Sequence, residues 1–443
     1  MAKAKTTALD AWLAHYGDAN TTGDQLDAEL RAAHAADAAA YRATWIPRLA
    51  EVERDRSSPL RQGVHPRRSG WDGFTLDLFW VYGLERIASE IDGAPFRRQR
   101  LLFANPLKAS TVIKVAKALA DAPVLARLDE LDFTNSKLGD KGLGELCKSP
   151  HLGQLRALVL NTCGITDAGL KALAATPLPA LERLELSDNK LTAAGVQALV
   201  ASPLAATLRH LDIGANDVGA KAAQAIADAK LPRLEVLNAS VCELGDAGLA
   251  KLLASKTLPA LAALELHDNE LTKKTCAALA TTALPIRSLQ LTGIAAGPEG
   301  AKLVAAAKLP KLVSLDLSRA KIGDAGATAL AELETKLVGL YLSDNAITAK
   351  GAQALARSPA TKGLRDLNLD RNPIGDAGLA ALVETLRGLE RVWLAQCGLT
   401  GAAVAELAKL PSLRDIELRG NKLGTAGEAA YKELWLTARN RRG

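Results

Sequence analysis

The sequence predicts a right-handed β/α solenoid, in which short parallel strands line an inner face and helices line an outer face. A pattern of the form L-x-x-L-x-L-x-x-N-x-L recurs twelve times between Leu128 and Leu423. Successive copies start 24 to 27 residues apart. A fixed period of this length is typical of stacked repeats, each of which buries its apolar face against its neighbours.

Each copy contains a strand and then a helix. Apolar residues first alternate, as at Leu184 and Leu186, which is the spacing of a short strand. A residue suited to a helix N-terminus follows, such as Thr166, and then apolar residues at helical spacing, such as Leu170 and Leu173. Helices are about 10 Å wide and strands lie about 4.8 Å apart, so the stack is expected to curve into a horseshoe.

A polar residue follows the strand in most copies, where a buried Asn can bond backbone groups through both its carbonyl and its amide. These predicted ladder residues are Asn189, Asn216, Asn269, Asn345, Asn372 and Asn421, with Cys163, Cys242 and Cys397 in three other copies. Ile294 and Ala320 hold the position in two adjacent copies and offer no side-chain hydrogen bond. We therefore expect irregular curvature near residues 286–325.

The repeat resembles the leucine-rich repeat family. The helix in each copy and the phrase G-D-A-G-L, at Gly245–Leu249 and Gly375–Leu379, are similar to its ribonuclease-inhibitor-like subclass. The resemblance covers residues 97–436, from a degenerate cap repeat to a C-terminal capping helix, and residues 437–443 are predicted to be a basic tail. It implies a scaffold that binds other molecules rather than an enzyme.

Residues 1–96 are predicted to form a separate, mainly helical domain, because most of the aromatic residues of the chain lie before residue 104. The phrases AWLAHYGD at 11–18, ATWIPRL at 43–49 and WDGF at 71–74 resemble the repeat-companion domain, which precedes leucine-rich repeats in many bacterial proteins. A composition rich in Ala and Arg with a single Met also suggests a bacterial source.

Composition gives no sign of catalysis, metal binding or membrane insertion. The five cysteines include no C-x-x-C pair, and the six histidines show no ligand spacing. We therefore expect no cofactor and no metal. The N-terminus lacks the apolar core of a signal peptide, and no apolar run is long enough to span a membrane, so the expected location is the cytoplasm. The net charge of +6 does not by itself indicate nucleic-acid binding.

Strand residues that point away from the core are predicted to line the hollow of the horseshoe. These are the third, fifth and seventh residues of each copy, and together they contain ten acidic residues and three arginines. An acidic hollow in a chain of positive net charge favours a basic partner. The alternative is that the carboxylates only keep an exposed sheet soluble. The fifth position includes Glu185, Asp212, Glu265 and Asp316.

Two aromatic residues, Tyr341 and Trp393, fall in these columns two copies apart, with Asn368 between them. Strand spacing places their Cα atoms about 10 Å apart. Charged residues surround them in the pattern: Asp366, Asp370 and Arg391 in the columns, and Asp344 and Arg371 at the strand ends. This composition is typical of a binding hot spot. The alternative is that both rings are packing or incidental surface residues.

The sequence thus predicts a non-catalytic protein-interaction scaffold whose acidic hollow holds a protein with a basic or mixed-charge surface. Neither nucleic acid nor membrane is an expected partner. The resemblance also leaves open a regulator of a small GTPase or of another enzyme, either an activator or an inhibitor. A third hypothesis is a structural repeat surface in which the N-terminal domain does the recognition.

Overall fold

The structure, a computed structural model, describes residues 75–77, 100–102 and 109–441. The chain divides into two compact units, Met1–Asn189 together with Gly443, and Lys190–Arg442. Apart from the strand at Thr75–Asp77, the predicted N-terminal domain and its repeat-companion phrases lie outside the described residues.

In the first unit the described strands run parallel, and each pairs with the next in chain order. The strands are β1 (Thr75–Asp77), β2 (Arg100–Leu102), β3 (Glu130–Asp132), β4 (Ala157–Val159) and β5 (Arg183–Glu185). The helices are α1 (Ala109–Asp121), α2 (Gly139–Leu146) and α3 (Asp167–Ala174), with 3-10 turns at Pro123–Arg127 and Leu152–Gln154. Strand β2 falls in the predicted cap repeat, and β1 pairs with it from within the range predicted as the N-terminal domain.

The second unit repeats the same order of strand and helix. Its strands are β6 (His210–Asp212), β7 (Val236–Asn238), β8 (Ala263–Glu265), β9 (Ser288–Gln290), β10 (Ser314–Asp316), β11 (Gly339–Tyr341), β12 (Asp366–Asn368), β13 (Arg391–Trp393) and β14 (Asp415–Glu417). Its helices are α4 (Ala193–Val200), α5 (Gly219–Asp228), α6 (Gly245–Leu253), α7 (Lys273–Leu279), α8 (Gly297–Ala306), α9 (Gly323–Leu330), α10 (Ala349–Arg357), α11 (Gly375–Thr385), α12 (Ala402–Leu407) and α13 (Gly424–Asn440), with 3-10 turns at Pro203–Ala206 and Pro359–Thr361. Consecutive strands from β6 to β14 pair in parallel.

The core lies between the strands and the helices. The middle residue of each repeat strand is buried, as Leu211, Leu237 and Leu264 show with no exposed surface. The apolar helix residues, such as Leu249 and Leu252, are buried in the same way. This alternation of parallel strands with helices confirms the predicted β/α solenoid.

Helices in the repeats begin in two ways. Some carry a Thr whose hydroxyl accepts from the N–H two residues on, as Thr272 does at the start of α7. Others begin at a Gly in the left-handed region, such as Gly245 with φ 59°, followed by an Asp. A helix start of one kind is hydrogen-bonded to a start of the other kind in the next repeat. Asp246 accepts hydrogen bonds from the N–H (2.9 Å) and hydroxyl (2.6 Å) of Thr272. The same pair recurs as Asp140 with Thr166, Asp324 with Thr348 and Asp376 with Thr400.

The Asn that follows the strand in six repeats joins neighbouring repeats. Fully buried Asn372 donates from Nδ2 to the carbonyl oxygens of Leu342 (2.8 Å) and Leu369 (3.0 Å). Its Oδ1 accepts from the N–H groups of Asn345 (3.0 Å) and Ile347 (2.9 Å). Bonds of the same kind are made by Asn189, Asn216, Asn269, Asn345 and Asn421. The cysteines at this position reproduce the bond to the preceding repeat: Cys163, Cys242 and Cys397 each donate Sγ–H to a backbone carbonyl.

The repeats that contain Ile294 and Ala320 have no such side-chain bond, and both residues are buried. Strands β8 to β11 nevertheless keep the register found elsewhere, with Ser288 opposite both Ala263 and Ser314. Loss of the polar ladder residue therefore leaves strand pairing intact. Among the residues that the structure describes, no helix combines the length and the apolar character needed to cross a membrane.

Candidate functional site

In each unit, the described helices leave one face of the strands uncovered. We call it the open face and define it by the third, fifth and seventh residues of the repeats. In β6 to β10 the third and fifth residues are partly exposed on either side of a buried middle residue. All twelve residues of the predicted binding site lie in these columns or in the turn that follows them.

Short polar residues at the fifth position share a structural role. Their side-chain oxygen accepts a hydrogen bond from the N–H two residues on, at the end of the strand. This bond joins Asp212 to Gly214 (2.8 Å), Asp316 to Ser318 (2.7 Å), Asn238 to Ser240 (3.0 Å) and Asn368 to Asp370 (2.9 Å). Asn and Asp both form this bond. The bond therefore accounts for a short side chain with an acceptor oxygen at this position, but not for its negative charge.

The rings of Tyr341 and Trp393 meet above the strand that separates them. Tyr341, Asn368 and Trp393 are opposite one another in the register of β11, β12 and β13. The ring centroids are 6.2 Å apart and the ring planes are inclined at 39°. This is within the range of attractive aromatic pairs. Both residues are half-buried, so the rings present a partly exposed apolar surface.

Gly339 makes room for the ring of Tyr341. A Cβ on Gly339 would lie 3.1 Å from Cε2 and 3.3 Å from the hydroxyl oxygen of Tyr341, so the ring extends back over its own strand. The ring therefore lies toward Asp366, which is opposite Gly339 in the register of β11 and β12. This role of Gly339 was missed in the sequence, although Gly within a strand is a signal of close approach.

Asp366 and Arg391 form a two-pronged ion pair beside the rings. Arg391 donates from Nε to Oδ1 of Asp366 at 2.6 Å and from Nη2 to Oδ2. Asp366 is buried, whereas the side chain of Arg391 is half-exposed. Hydrogen bonding to Asp366 raises the pKa of Arg391. Burial, and then the charge of Asp366, raises the pKa of Tyr341, so its hydroxyl stays protonated.

Asp370, Asp344 and Arg371 lie at the carboxyl ends of these strands. Asp370 is half-buried and accepts from the N–H of Ala395 at 2.7 Å. Burial, together with the charge of Glu417, raises the pKa of its carboxyl group. Asp344 and Arg371 occupy left-handed turn positions, with φ of 55° and 57°, and both are exposed.

Of the remaining predicted residues, Asp316 lies next to the aromatic pair, because it is opposite Tyr341 in the register of β10 and β11. The other three lie elsewhere on the open face. Asp212 and Glu265 lie on β6 and β8 of the same unit. Glu185 belongs to the first unit, where it accepts from Nδ2 of Asn161 at 2.9 Å and pairs with Arg183.

The sequence pattern also did not predict a contact between two of the turns that follow the strands. Arg319 donates from Nη2 to both carboxylate oxygens of Asp268, at 3.0 and 2.9 Å, although 51 residues separate them. Gly293 lies beneath this pair, where a Cβ would approach Asp268 to 2.4 Å. All three residues occupy the turn position before the ladder residue, so their shared position in the repeat could have indicated that they lie close together.

The cysteines and acidic groups provide no evident chemistry. Burial raises the pKa of Cys242, Cys276 and Cys397 to about 12, so these thiols remain protonated near neutral pH. Within the described part of the chain, His, Cys, Asp and Glu residues nowhere form a group of three or more that suits a metal ion.

The fold and its open face define a parallel β/α solenoid, the architecture that leucine-rich repeats form. A family model described as Leucine Rich repeat matches residues 155–174, 179–200, 205–227, 308–331, 335–356 and 364–383. The ribonuclease inhibitor of Sus scrofa is 29% identical over 296 residues, which are 62% of this chain and 59% of the inhibitor. The chain therefore spans about six tenths of the length of that relative.

Two further similarities extend the comparison. The NACHT, LRR and PYD domains-containing protein 12 of Homo sapiens is 28% identical over 322 residues, covering 66% of this chain and 27% of that protein. In the solved complex of Rad7 and Elc1 from yeast, one chain is similar at 18% identity with a TM-score of 0.45, over 64% of this chain and 72% of that one. These similar proteins are eukaryotic, and the bacterial source and the companion domain remain predictions.

Proposed function

We propose that this protein is a non-catalytic protein-interaction scaffold that binds its partner on the open face of the second unit, with Tyr341 and Trp393 as anchors. The observation that carries the proposal is the pair of partly exposed rings, 6.2 Å apart, beside the Asp366–Arg391 ion pair. Aromatic and Arg side chains in a preorganised arrangement are the usual centres of protein-binding energy.

The charge of the open face supports a basic or mixed-charge partner. In the second unit its acidic residues are Asp212, Glu265, Asp316, Asp366, Asp370, Asp415 and Glu417, against Arg391 and Arg419. Because Asn forms the strand-end bond equally well, fold stability alone does not require this excess of carboxylates. An acidic surface accelerates and orients the approach of a cationic protein.

A second candidate, inhibition of a ribonuclease, is favoured by the similarity to a protein of that name. It is a special case of the first, in which the partner is an enzyme and binding blocks it. A panel of purified ribonucleases assayed with an excess of this protein tests it directly. Undiminished activity of every enzyme in the panel would remove this candidate and leave the scaffold proposal in place.

Affinity capture from the native cell, with quantification of the retained proteins, tests the scaffold proposal. The wild type is compared with the Tyr341→Ala/Trp393→Ala variant and with Trp435→Ala, a control on α13 whose half-exposed ring stacks on Arg439 at 5.0 Å. A true partner is lost with the double variant, is retained with the control and dissociates as salt rises. Retention by all three proteins would refute the anchor assignment.

The other two hypotheses predict different results. If the N-terminal region does the recognition, residues 1–96 used as bait capture the partner and residues 97–443 do not. If the protein regulates a small GTPase, addition of the full chain changes the rate of GTP hydrolysis in a panel of such enzymes. Partner capture by 97–443 with no effect on hydrolysis supports the open-face proposal over both.

A further inference from the structure

Asp316 carries a negative charge on the open face beside Tyr341. It is opposite Tyr341 in the register of β10 and β11, and it forms no ion pair with any of the residues that the structure describes. Its Oδ1 accepts from the N–H of Ser318 at 2.7 Å, a bond that Asn238 and Asn368 also make at their own positions. The described part of the chain therefore leaves this carboxylate without a counterion.

The cation nearest to Asp316 in the sequence is held at another site. Arg319 follows Asp316 by three residues, but it donates from Nη2 to both carboxylate oxygens of Asp268, at 3.0 and 2.9 Å. Asp268 lies two repeats away, and Gly293 in the turn between them leaves the space for this crossing. Arg319 is thus engaged along the turns and does not neutralise the Asp316 carboxylate.

Other carboxylates beside the rings are less available to a partner. Asp366 is buried and binds Arg391 through both of its oxygens. Glu417 pairs with a neighbouring arginine at 3.0 Å. Burial raises the pKa of Asp370, which makes its charged form less favourable than that of an ordinary aspartate. Asp316 is therefore the carboxylate in this part of the open face that is best placed to accept a new cation.

The residues around Asp316 leave space for a side chain to enter. On its own strand and on the two neighbouring strands, the third and seventh positions are held by residues no larger than threonine: Ser288, Thr292, Ser314, Ser318, Gly339 and Ser343. Gln290 and Tyr341 hold the fifth positions on either side of Asp316. After burial and the charge of Asp366, the charge of Asp316 also raises the pKa of Tyr341, so the carboxylate acts on the tyrosine hydroxyl. Asp316 thus lies in a depression between two larger side chains, one of them aromatic.

We infer that Asp316 binds one cationic side chain of the partner, a lysine or an arginine, whose stem lies along the ring of Tyr341. The inference rests on the proposed function and names the chemistry of the partner at one position of the open face. Neighbouring strands are about 4.8 Å apart, so a cation at Asp316 can reach the distance of roughly 6 Å from the ring at which cation–π attraction acts. The ring also covers the apolar stem of Lys or Arg. Carboxylate and ring together recognise the two parts of one side chain.

The test uses the full-length protein with 3-fluorotyrosine in place of its five tyrosines. Comparison of the ¹⁹F NMR spectra of wild type, Tyr341→Phe and Tyr431→Phe assigns two of the signals. The probes are the N-acetyl methylamides of arginine, lysine and citrulline, and citrulline has the shape of arginine without its charge. We expect arginine, lysine or both to shift the Tyr341 signal saturably, and citrulline to leave it in place. The Tyr431 signal should not move, because its hydroxyl is bound to the carbonyl of Ile416 at 3.2 Å.

Asp316→Asn and Asp212→Asn form a matched pair of variants. Each removes one charge from the fifth position in the second unit and keeps the strand-end bond, which Asn238 and Asn368 also make. Asp316→Asn should raise the dissociation constant of the cationic probe at least about fivefold, as expected for loss of a partly exposed ion pair. Asp212→Asn, on β6, should change it by less than about twofold, because salt screens a charge so far from the ring.

The outcomes separate this inference from the proposed function. The inference is overturned if neither cationic probe shifts the Tyr341 signal saturably, or if citrulline shifts it equally. It is also overturned if Asp316→Asn leaves the dissociation constant unchanged, or if Asp212→Asn raises it as much. The proposed function survives these results if Tyr341→Ala/Trp393→Ala still loses the natural partner. If the double variant retains the partner while the probes bind through Asp316, the proposed function fails and the cation site remains.

Discussion

The ring centroids of Tyr341 and Trp393 lie 6.2 Å apart, although the two residues are separated by a whole strand. That approach depends on Gly339, which leaves space for the tyrosine ring, and it lies beside Asp366, which binds Arg391. The cluster is therefore preorganised, so a partner that binds it pays little entropy to order these side chains.

Tyr341 is expected to ionise at higher pH than an ordinary tyrosine, because burial and the charge of Asp366 both disfavour the tyrosinate. Asp366→Asn removes that charge and leaves Arg391 nearby, so it should lower the pKa of Tyr341. Ultraviolet difference titration of each protein against its Tyr341→Phe counterpart isolates this residue. An unchanged or higher pKa in the Asp366→Asn protein would contradict the contact.

The Asp–Thr pairs between repeats should stabilise the fold in a pH-dependent way. Burial raises the pKa of Asp246, but hydrogen bonds from Thr272 and Thr275 outweigh it and the pKa falls below its ordinary value. A carboxyl group whose pKa is lowered in the folded state stabilises the fold at pH values above its unfolded-state pKa of about 4. That stabilisation is lost as the pH falls through the folded-state pKa.

Asp246→Ala should therefore cost about 1 kcal/mol at neutral pH, and the difference from wild type should shrink below about pH 4. Urea denaturation at several pH values measures it. Asp217→Ala, at an exposed position, is the control and should be close to neutral. A cost for Asp246→Ala that is constant with pH would argue against the charged hydrogen bonds.

The ladder Asn should stabilise the fold through its hydrogen bonds and not only through packing. Asn372→Ala leaves the N–H groups of Asn345 and Ile347 without their acceptor, and we expect a loss of about 3 kcal/mol. Asn372→Cys should cost less, because cysteines at this position donate to the preceding carbonyl, as Cys397 does to Leu369 at 3.0 Å. Chemical denaturation of the three proteins gives the order, and equal losses would show that the Sγ–H bond contributes nothing.

Val241 is under backbone strain. It has φ of 54°, a region that β-branched residues rarely occupy, and it is 46% exposed. Val241→Asn should stabilise the protein by about 1 kcal/mol, since Asn tolerates this conformation. Val338→Asn, at 40% exposure and without positive φ, is the control for loss of an exposed Val. Thermal denaturation compares them, and equal effects at the two positions would exclude relief of strain.

The repeat made the architecture predictable, because every repeat strand has a buried aliphatic residue in its middle and every turn needs the same spacing. The columns of the open face follow from that spacing alone, so Tyr341 and Trp393 could be assigned to the same column, two strands apart. The direction of a ring is set by local packing, and the pattern therefore did not predict that Tyr341 extends over Gly339 to Asp366. The Asp268–Arg319 pair depends in the same way on space above Gly293.

The most direct test of the account is the dissociation constant of a captured partner for the wild type and for the Tyr341→Ala/Trp393→Ala variant, with unfolding curves recorded for both. We predict that affinity falls at least about a hundredfold, or about 2.7 kcal/mol, since paired aromatic hot spots dominate such interfaces. Trp435→Ala should bind as the wild type does. Equal affinity of wild type and double variant, with both proteins folded, would contradict the central claim that these two rings anchor the partner.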